Sequence, residues 1–225
     1  MKIKWYGQAA FRLVADDGFT IITDPYTPEI LGYEPIPDPA DLVIVSSDND
    51  EAHCRFDLIK GDPAVVNALT VAQNGGSHTE AGKAVKAIQA MEWIHHEEHD
   101  PDQNGMYRFE VDGMQIAHMG DVGNPLTDEQ IAFFHDLDIL LALVGGSPTI
   151  PLDALFKMLE VTKPKLIIPM HFRTLTYIPR NTHWIHTFLS HYDDADVDFA
   201  FNYETTITKA DIPDSTRVLV MDYAR

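Results

Sequence analysis

Short apolar runs, not long amphipathic ones, set the pattern of this chain. They are KIKWY (2–6), AFRLV (10–14), FTIIT (19–23), DLVIV (41–45), MYRFEV (106–111), MQIAHM (114–119), DILLALV (138–144), KLIIPM (165–170) and RVLVM (217–221). Each is short for a helix and carries residues such as Val, Ile, Phe and Tyr that fit a pleated surface, so each reads as a strand. Short turns separate the first three, as in an antiparallel meander. Asp112-Gly113, between MYRFEV and MQIAHM, predicts a tight hairpin because Gly tolerates positive φ.

Helical periodicity is confined to the second half. Residues 126–137 offer Thr127 as N-cap with Gln130 three positions on, a capping box. Residues 151–162 begin with a Pro, which suits a first turn, and put Leu152, Leu155, Phe156 and Leu159 on one stripe. Residues 181–192 place Trp184, Ile185, Phe188 and Leu189 on one face. The stretch 80–93 fits strand or helix equally well on periodicity. Strand-rich ends, with strand–helix alternation between 106 and 170, predict an α/β domain whose mixed sheets are covered by helices.

Composition narrows the function classes. The 225 residues, 45 % apolar and 23 % charged, are expected to form one domain spanning 1–225 with a core that needs no staples. A single cysteine, Cys54, excludes an intrachain disulfide. No apolar run approaches the ~20 residues that span a bilayer. Gln8, Arg12, Asp16 and Asp17 break up any leader-like segment, so a cytoplasmic location is expected. A formal charge of −19 repels nucleic acid and anionic membranes as general partners, most simply as a solubilising surface, and it gathers cations.

Phosphate-cradling loops and nucleophile elbows are missing. Neither a Walker A nor a G-x-G-x-x-G sequence occurs, and Gly145-Gly146-Ser147-Pro148 lacks the G-x-S-x-G spacing. Cys54 and His53 are chain neighbours, and in an extended chain they would point to opposite faces.

Metal chemistry is better supported. Glu51 or His53, His95, Asp121 and His171 each follow a strand-like run, and strands of one sheet deliver side chains to a common edge. Taken singly, each has a plainer reading: a turn Asp, a boundary His, a solvated polar loop. Taken together, imidazole nitrogens and carboxylate oxygens suit Zn²⁺, Mn²⁺ or Fe²⁺.

In serial order, KIKWYGQAAFRL, TDPY, ADLVIVSS, AMEWIHH, AHMGDVG, DILLALVGGSPTI and KPKLIIPMHF resemble the metallo-β-lactamase superfamily. The resemblance is strongest to its small metal-dependent hydrolases of the ascorbate-6-phosphate lactonase-like branch. It implies a four-layer αββα sandwich with the site at one edge, and it favours a strand for 84–92. It also matches His95 to the His of a later loop, Asp121 to a bridging Asp, His171 to a final His and Asp24 to a supporting Asp.

The sequence departs from that family at VSSDNDEAHC (45–54), where an H-x-H-x-D-H loop is expected. Ser47 and Asn49 fall on the first two His and Glu51 on the Asp; one inserted residue lets His53 serve as the last His. Asp48 and Asp50 stand in reserve. A first-metal site would keep only His95 of its three His, whereas Glu51, His53, Asp121 and His171 could still hold one ion. The function the resemblance implies is a metal-dependent hydrolase of small-molecule lactones, esters or phosphoesters, with Asp121 orienting the attacking water or accepting its proton. The alternative is a non-catalytic module that kept the fold after losing its metal.

Overall fold

The computed structural model describes residues 1–48, 50–92 and 104–224. In its first half, strands β1 (Lys2–Gly7), β2 (Ala10–Val14), β3 (Thr20–Thr23), β4 (Leu42–Val45) and β5 (Ala64–Asn67) lie side by side. The next run is β6 (Ser77–Glu80), β7 (Lys83–Ala90), β8 (Asn104–Val111), β9 (Met114–His118), β10 (Ile139–Leu143) and β11 (Leu166–Met170). Near the end come β12 (Val197–Phe199), β13 (Glu204–Thr206) and β14 (Arg217–Val220). One sheet has the order β13-β1-β2-β3-β4-β5 and the other β12-β14-β11-β10-β9-β8-β7-β6. The apolar side chains of both sheets belong to one buried cluster.

Both sheets are mixed, in step with their sequences. The expected meander is present: β1–β2 and β2–β3 pair antiparallel, after which β3, β4 and β5 run parallel. In the larger sheet β6 to β9 are antiparallel, and β9, β10, β11, β14 and β12 are parallel. Strands β3, β4, β10 and β11 are buried along their whole length, as parallel strands covered on both faces must be. Asp112 and Gly113 both take positive φ (50° and 73°), the pairing a type I′ hairpin requires.

Five short helices complete the described chain: α1 (Pro28–Leu31), α2 (Ala68–Gln73), α3 (Asp128–Ala132), α4 (Leu152–Thr162) and α5 (Ile185–Leu189). The capping box on Thr127 is formed, with Gln130 N–H donating to the Thr127 hydroxyl and Thr127 N–H to Gln130 Oε1. Several expectations need correction. Helices are not confined to the second half, since α1 and α2 lie in the first. The expected helices at 126–137 and 181–192 shrink to five residues each, because packing rather than propensity sustains a helix this short. Pro151 is the N-cap of α4, one step before its first turn. The ambiguous 80–93 segment contributes the end of β6 and all of β7, joined through Ala81 and Gly82 at positive φ. No helix among the described residues is long and apolar enough to cross a membrane.

Candidate metal centre

Parallel β3, β4, β9 and β11 deliver functional groups from the loops at their C-terminal ends. Asp24 follows β3 and is fully buried. Its carboxylate accepts from the Ser46 backbone N–H (2.9 Å), the Ser46 hydroxyl (2.6 Å) and the Tyr107 hydroxyl (3.1 Å). The same carboxylate lies 2.9 Å from His53 Nδ1. That contact makes Nδ1 the donor to Asp24 and turns Nε2 toward Asp50, Asp121 and Gln8, as an imidazole ligand needs.

The loop after β4 turns tightly. His53 N–H and Cys54 N–H both donate to the Asp50 carbonyl, and Asp50 Oδ1 accepts from Ala52 N–H. A turn of that pitch puts residues three apart on one side, so Asp50 and His53 face together, with Asp50 Oδ2 3.9 Å from His53 Nε2. Glu51 points the other way: its side chain is 63 % exposed and 3.9 Å from Arg55. Of the carboxylates in this loop, Asp50 rather than Glu51 is the one that lies beside His53, and Asp48 is exposed.

Asp121 follows β9 after Gly120. A Cβ on Gly120 would stand 2.2 Å from Asn104 Oδ1, and φ there is +62°, so only Gly lets Asn104 accept the Asp121 N–H at 2.8 Å. Asp121 Oδ2 stands 3.6 Å from His53 Nε2, and Oδ1 3.2 Å from His171 Nε2. His171 follows β11 at φ +57° and stacks on His53, ring centroids 5.6 Å apart. His53, Asp121 and His171 each offer a ligand atom within 4.8 Å of the others, and Asp50, Glu92 and Asp121 form a second such group. Ser47 is buried beside this loop, while Asn49 and His95 lie outside the described residues.

The electrostatics follow from this crowding. Burial opposes a charged His53, but Asp121, then Asp24 and Asp50, outweigh it and push its pKa up to about 10. Burial likewise opposes an ionised Asp121, yet His53 and His171 draw its pKa down to about 2. Asp50 is shifted upward, chiefly by burial and also by the charge of Asp121. Asp121 Oδ1 is buried and accepts no hydrogen bond. An orphaned carboxylate oxygen beside two inward Nε2 atoms is what a bound cation satisfies, so these residues fit a divalent metal.

Two contributors had little signal in the sequence. His118 is buried, with Nε2 2.9 Å from the Ala9 carbonyl and Nδ1 accepting from Gly120 N–H, so it holds the loop that carries Asp121. Burial lowers its pKa despite the neighbouring Asp24. Gln8, in the turn between β1 and β2, ends beside both His53 and His171. Its only signal was one amide side chain within the apolar run WYGQAAF.

Comparison with known proteins agrees with this architecture. The family model described as "Beta-lactamase superfamily domain" matches residues 2–171. A UPF0173 metal-dependent hydrolase of Thermoplasma acidophilum is 29 % identical over 202 residues, covering 79 % of this chain and 86 % of the relative. Another, from Archaeoglobus fulgidus, is 25 % identical over 206 residues, covering 80 % and 87 %. A crystal structure of a metallo-beta-lactamase superfamily protein from Thermotoga maritima superimposes with a TM-score of 0.76 at 29 % identity, covering 99 % of both chains.

Proposed function

The chain belongs to the beta-lactamase superfamily, and from that footing we propose that it is a metal-dependent hydrolase with a reduced, one-ion site. The observation that carries the reading is the convergence of His53, Asp121 and His171, with donor atoms within 4.8 Å of one another. Relatives named metal-dependent hydrolases support it. Asp50 joins these three as a carboxylate at the rim. Two imidazoles with carboxylates suit Zn²⁺, Mn²⁺ or Fe²⁺. His95, which the sequence aligns with the later-loop ligand, is a further candidate.

When bound, such a cation supplies Lewis acidity, lowering the pKa of water from 15.7 toward ~7 and polarising a carbonyl or phosphoryl oxygen. The remaining work falls to the chain. Asp24 fixes the tautomer of His53, so that Nε2 stays free for ligation. Asp121, kept ionised by the two histidines, accepts a hydrogen bond from the attacking water and orients it. Burial of His53 and His171 excludes bulk solvent from that side and strengthens these interactions. Lactones, carboxylic esters and phosphoesters all carry an oxygen that this arrangement can polarise.

Elemental analysis of tag-free wild type, Asp121→Ala and His171→Ala, with hydrolysis of a lactone, ester and phosphoester panel, tests the proposal. The expected result is bound transition metal and activity in the wild type, with both lost in the variants. A wild type that takes up no metal above background, even with added Zn²⁺ or Mn²⁺, sinks it. Retained metal without hydrolysis of any panel member overturns the hydrolase part of the proposal. A metal-free wild type leaves the non-catalytic module, whose sequence evidence is Ser47 and Asn49 where the resemblance places two His.

A further inference from the structure

Gln8 has no part in the roles above, yet its side chain ends between the two imidazoles. The residue is 3 % exposed. Its amide nitrogen stands 3.4 Å from His53 Nε2 and touches His171 Nε2. An amide offers an oxygen on one side and an NH₂ on the other, so the end facing the rings depends on the protons they carry. The terminal torsion is soft and roughly two-fold, so the group can turn over in place.

The backbone beneath it is held on several sides. The Gln8 carbonyl accepts from the Trp5 indole N–H at 3.1 Å and from His171 N–H at 3.0 Å. Its φ is +49°, and Gly7 before it sits at φ +115°, with a Tyr33 ring carbon 2.6 Å from where a Cβ would be. The held turn keeps the base of this buried side chain beside the two imidazoles. A cation entering between the imidazoles meets the amide as a neighbour.

We propose that Gln8 is a further ligand of the metal site, presenting Oε1 to the ion alongside His53, Asp121 and His171. This rests on the metal-site reading above. Four tetrahedral donors at 2.0–2.1 Å from a common ion stand ~3.3 Å apart. Asp121–His171 at 3.2 Å, Asp121–His53 at 3.6 Å and the Gln8 amide nitrogen to His53 Nε2 at 3.4 Å lie near that spacing. The amide stands closer than that to His171 Nε2, so it must turn over and draw back from His171 to present Oε1. A neutral amide oxygen adds no charge to a site already rich in carboxylates, and oxygen donors suit Mn²⁺ or Fe²⁺ as well as Zn²⁺.

The test is calorimetric titration of metal-stripped protein with Zn²⁺ and Mn²⁺, together with the visible spectrum of the Co²⁺ form. Gln8→Asn keeps the amide and tolerates positive φ but falls one methylene short, whereas Gln8→Glu keeps the reach and offers a carboxylate oxygen. The expected result is an affinity about tenfold or more weaker in Gln8→Asn, with an altered Co²⁺ spectrum, and affinity restored in Gln8→Glu. Unchanged thermal unfolding of the stripped variants checks that the fold is intact. Wild-type affinity and spectrum in Gln8→Asn overturn the assignment, and tighter binding overturns it by marking the amide as an obstruction. A wild type that binds no metal fails the metal-site reading itself, a result separate from failure of the Gln8 assignment alone.

Discussion

At the scale of single residues, the centre is organised around one buried carboxylate. Asp24 accepts hydrogen bonds from Ser46 and Tyr107 and holds His53 in the orientation a ligand needs. Such supports set ligand geometry even though they touch no metal. Asp24→Asn is therefore expected to lower metal affinity about 10–100-fold while leaving His171 and Asp121 in place. Competition with a chromogenic chelator measures this, and an unchanged affinity would show that Nδ1 needs no carboxylate. Three residues at the centre, Gln8, Asp24 and His171, have positive φ (49°, 37° and 57°). Such conformations are uncommon for residues with side chains and gather at functional sites.

At the scale of elements, the parallel strands are joined by a charged knot at the start of β10. Asp138, just before that strand, accepts from Gln115 N–H at 2.9 Å, Lys165 Nζ at 3.0 Å and Lys209 Nζ at 2.6 Å. It thereby ties together β9, the lead into β11 and the segment after β13. Burial raises its pKa, but Lys209, the Gln115 amide and Lys165 outweigh that and hold it below the usual carboxylate range. A depressed pKa contributes stability above the unfolded value of ~3.9, lost as pH falls through the folded one. Asp138→Asn should cost about 1–2 kcal/mol at neutral pH, discounted because both lysines are half exposed. The gap from wild type in urea denaturation should narrow as pH drops below ~4. A gap that stays constant with pH would refute the charge-based account.

For the whole molecule, the net charge of −19 sets the dominant long-range term. Self-repulsion of like charges opposes the compact state, and salt screens it. Raising ionic strength from ~0.01 to ~0.1 M shortens the screening length from ~30 to ~10 Å. The urea midpoint should rise over that range; a fall would mean that attractive pairs such as Lys4–Asp38 and Arg217–Asp198 outweigh the repulsion. The same charge draws cations toward the edge where Asp50, Glu92 and Asp121 converge.

Much of the fold was determined by the sequence alone. Strand positions follow from local apolar runs, and the hairpin at Asp112-Gly113 and the cap at Thr127 follow from the chemistry of a few adjacent residues. The weak elements, β5, β6, β12, β13 and the two early helices, left little trace because packing partners distant in the chain sustain them. Asp121 and His171 could be picked out because each ends a strong strand, and the resemblance gave Asp24. The choice between Glu51 and Asp50 could not be read, since it depends on the pitch of a single turn at 50–54. Gln8 stayed hidden for a related reason: a lone amide acquires meaning only when β1 and β11, more than 150 residues apart, bring it against His53 and His171. Local pattern decides which segments become strands; which side chains meet at their ends is decided by the tertiary structure, because that meeting depends on contacts between segments distant in sequence.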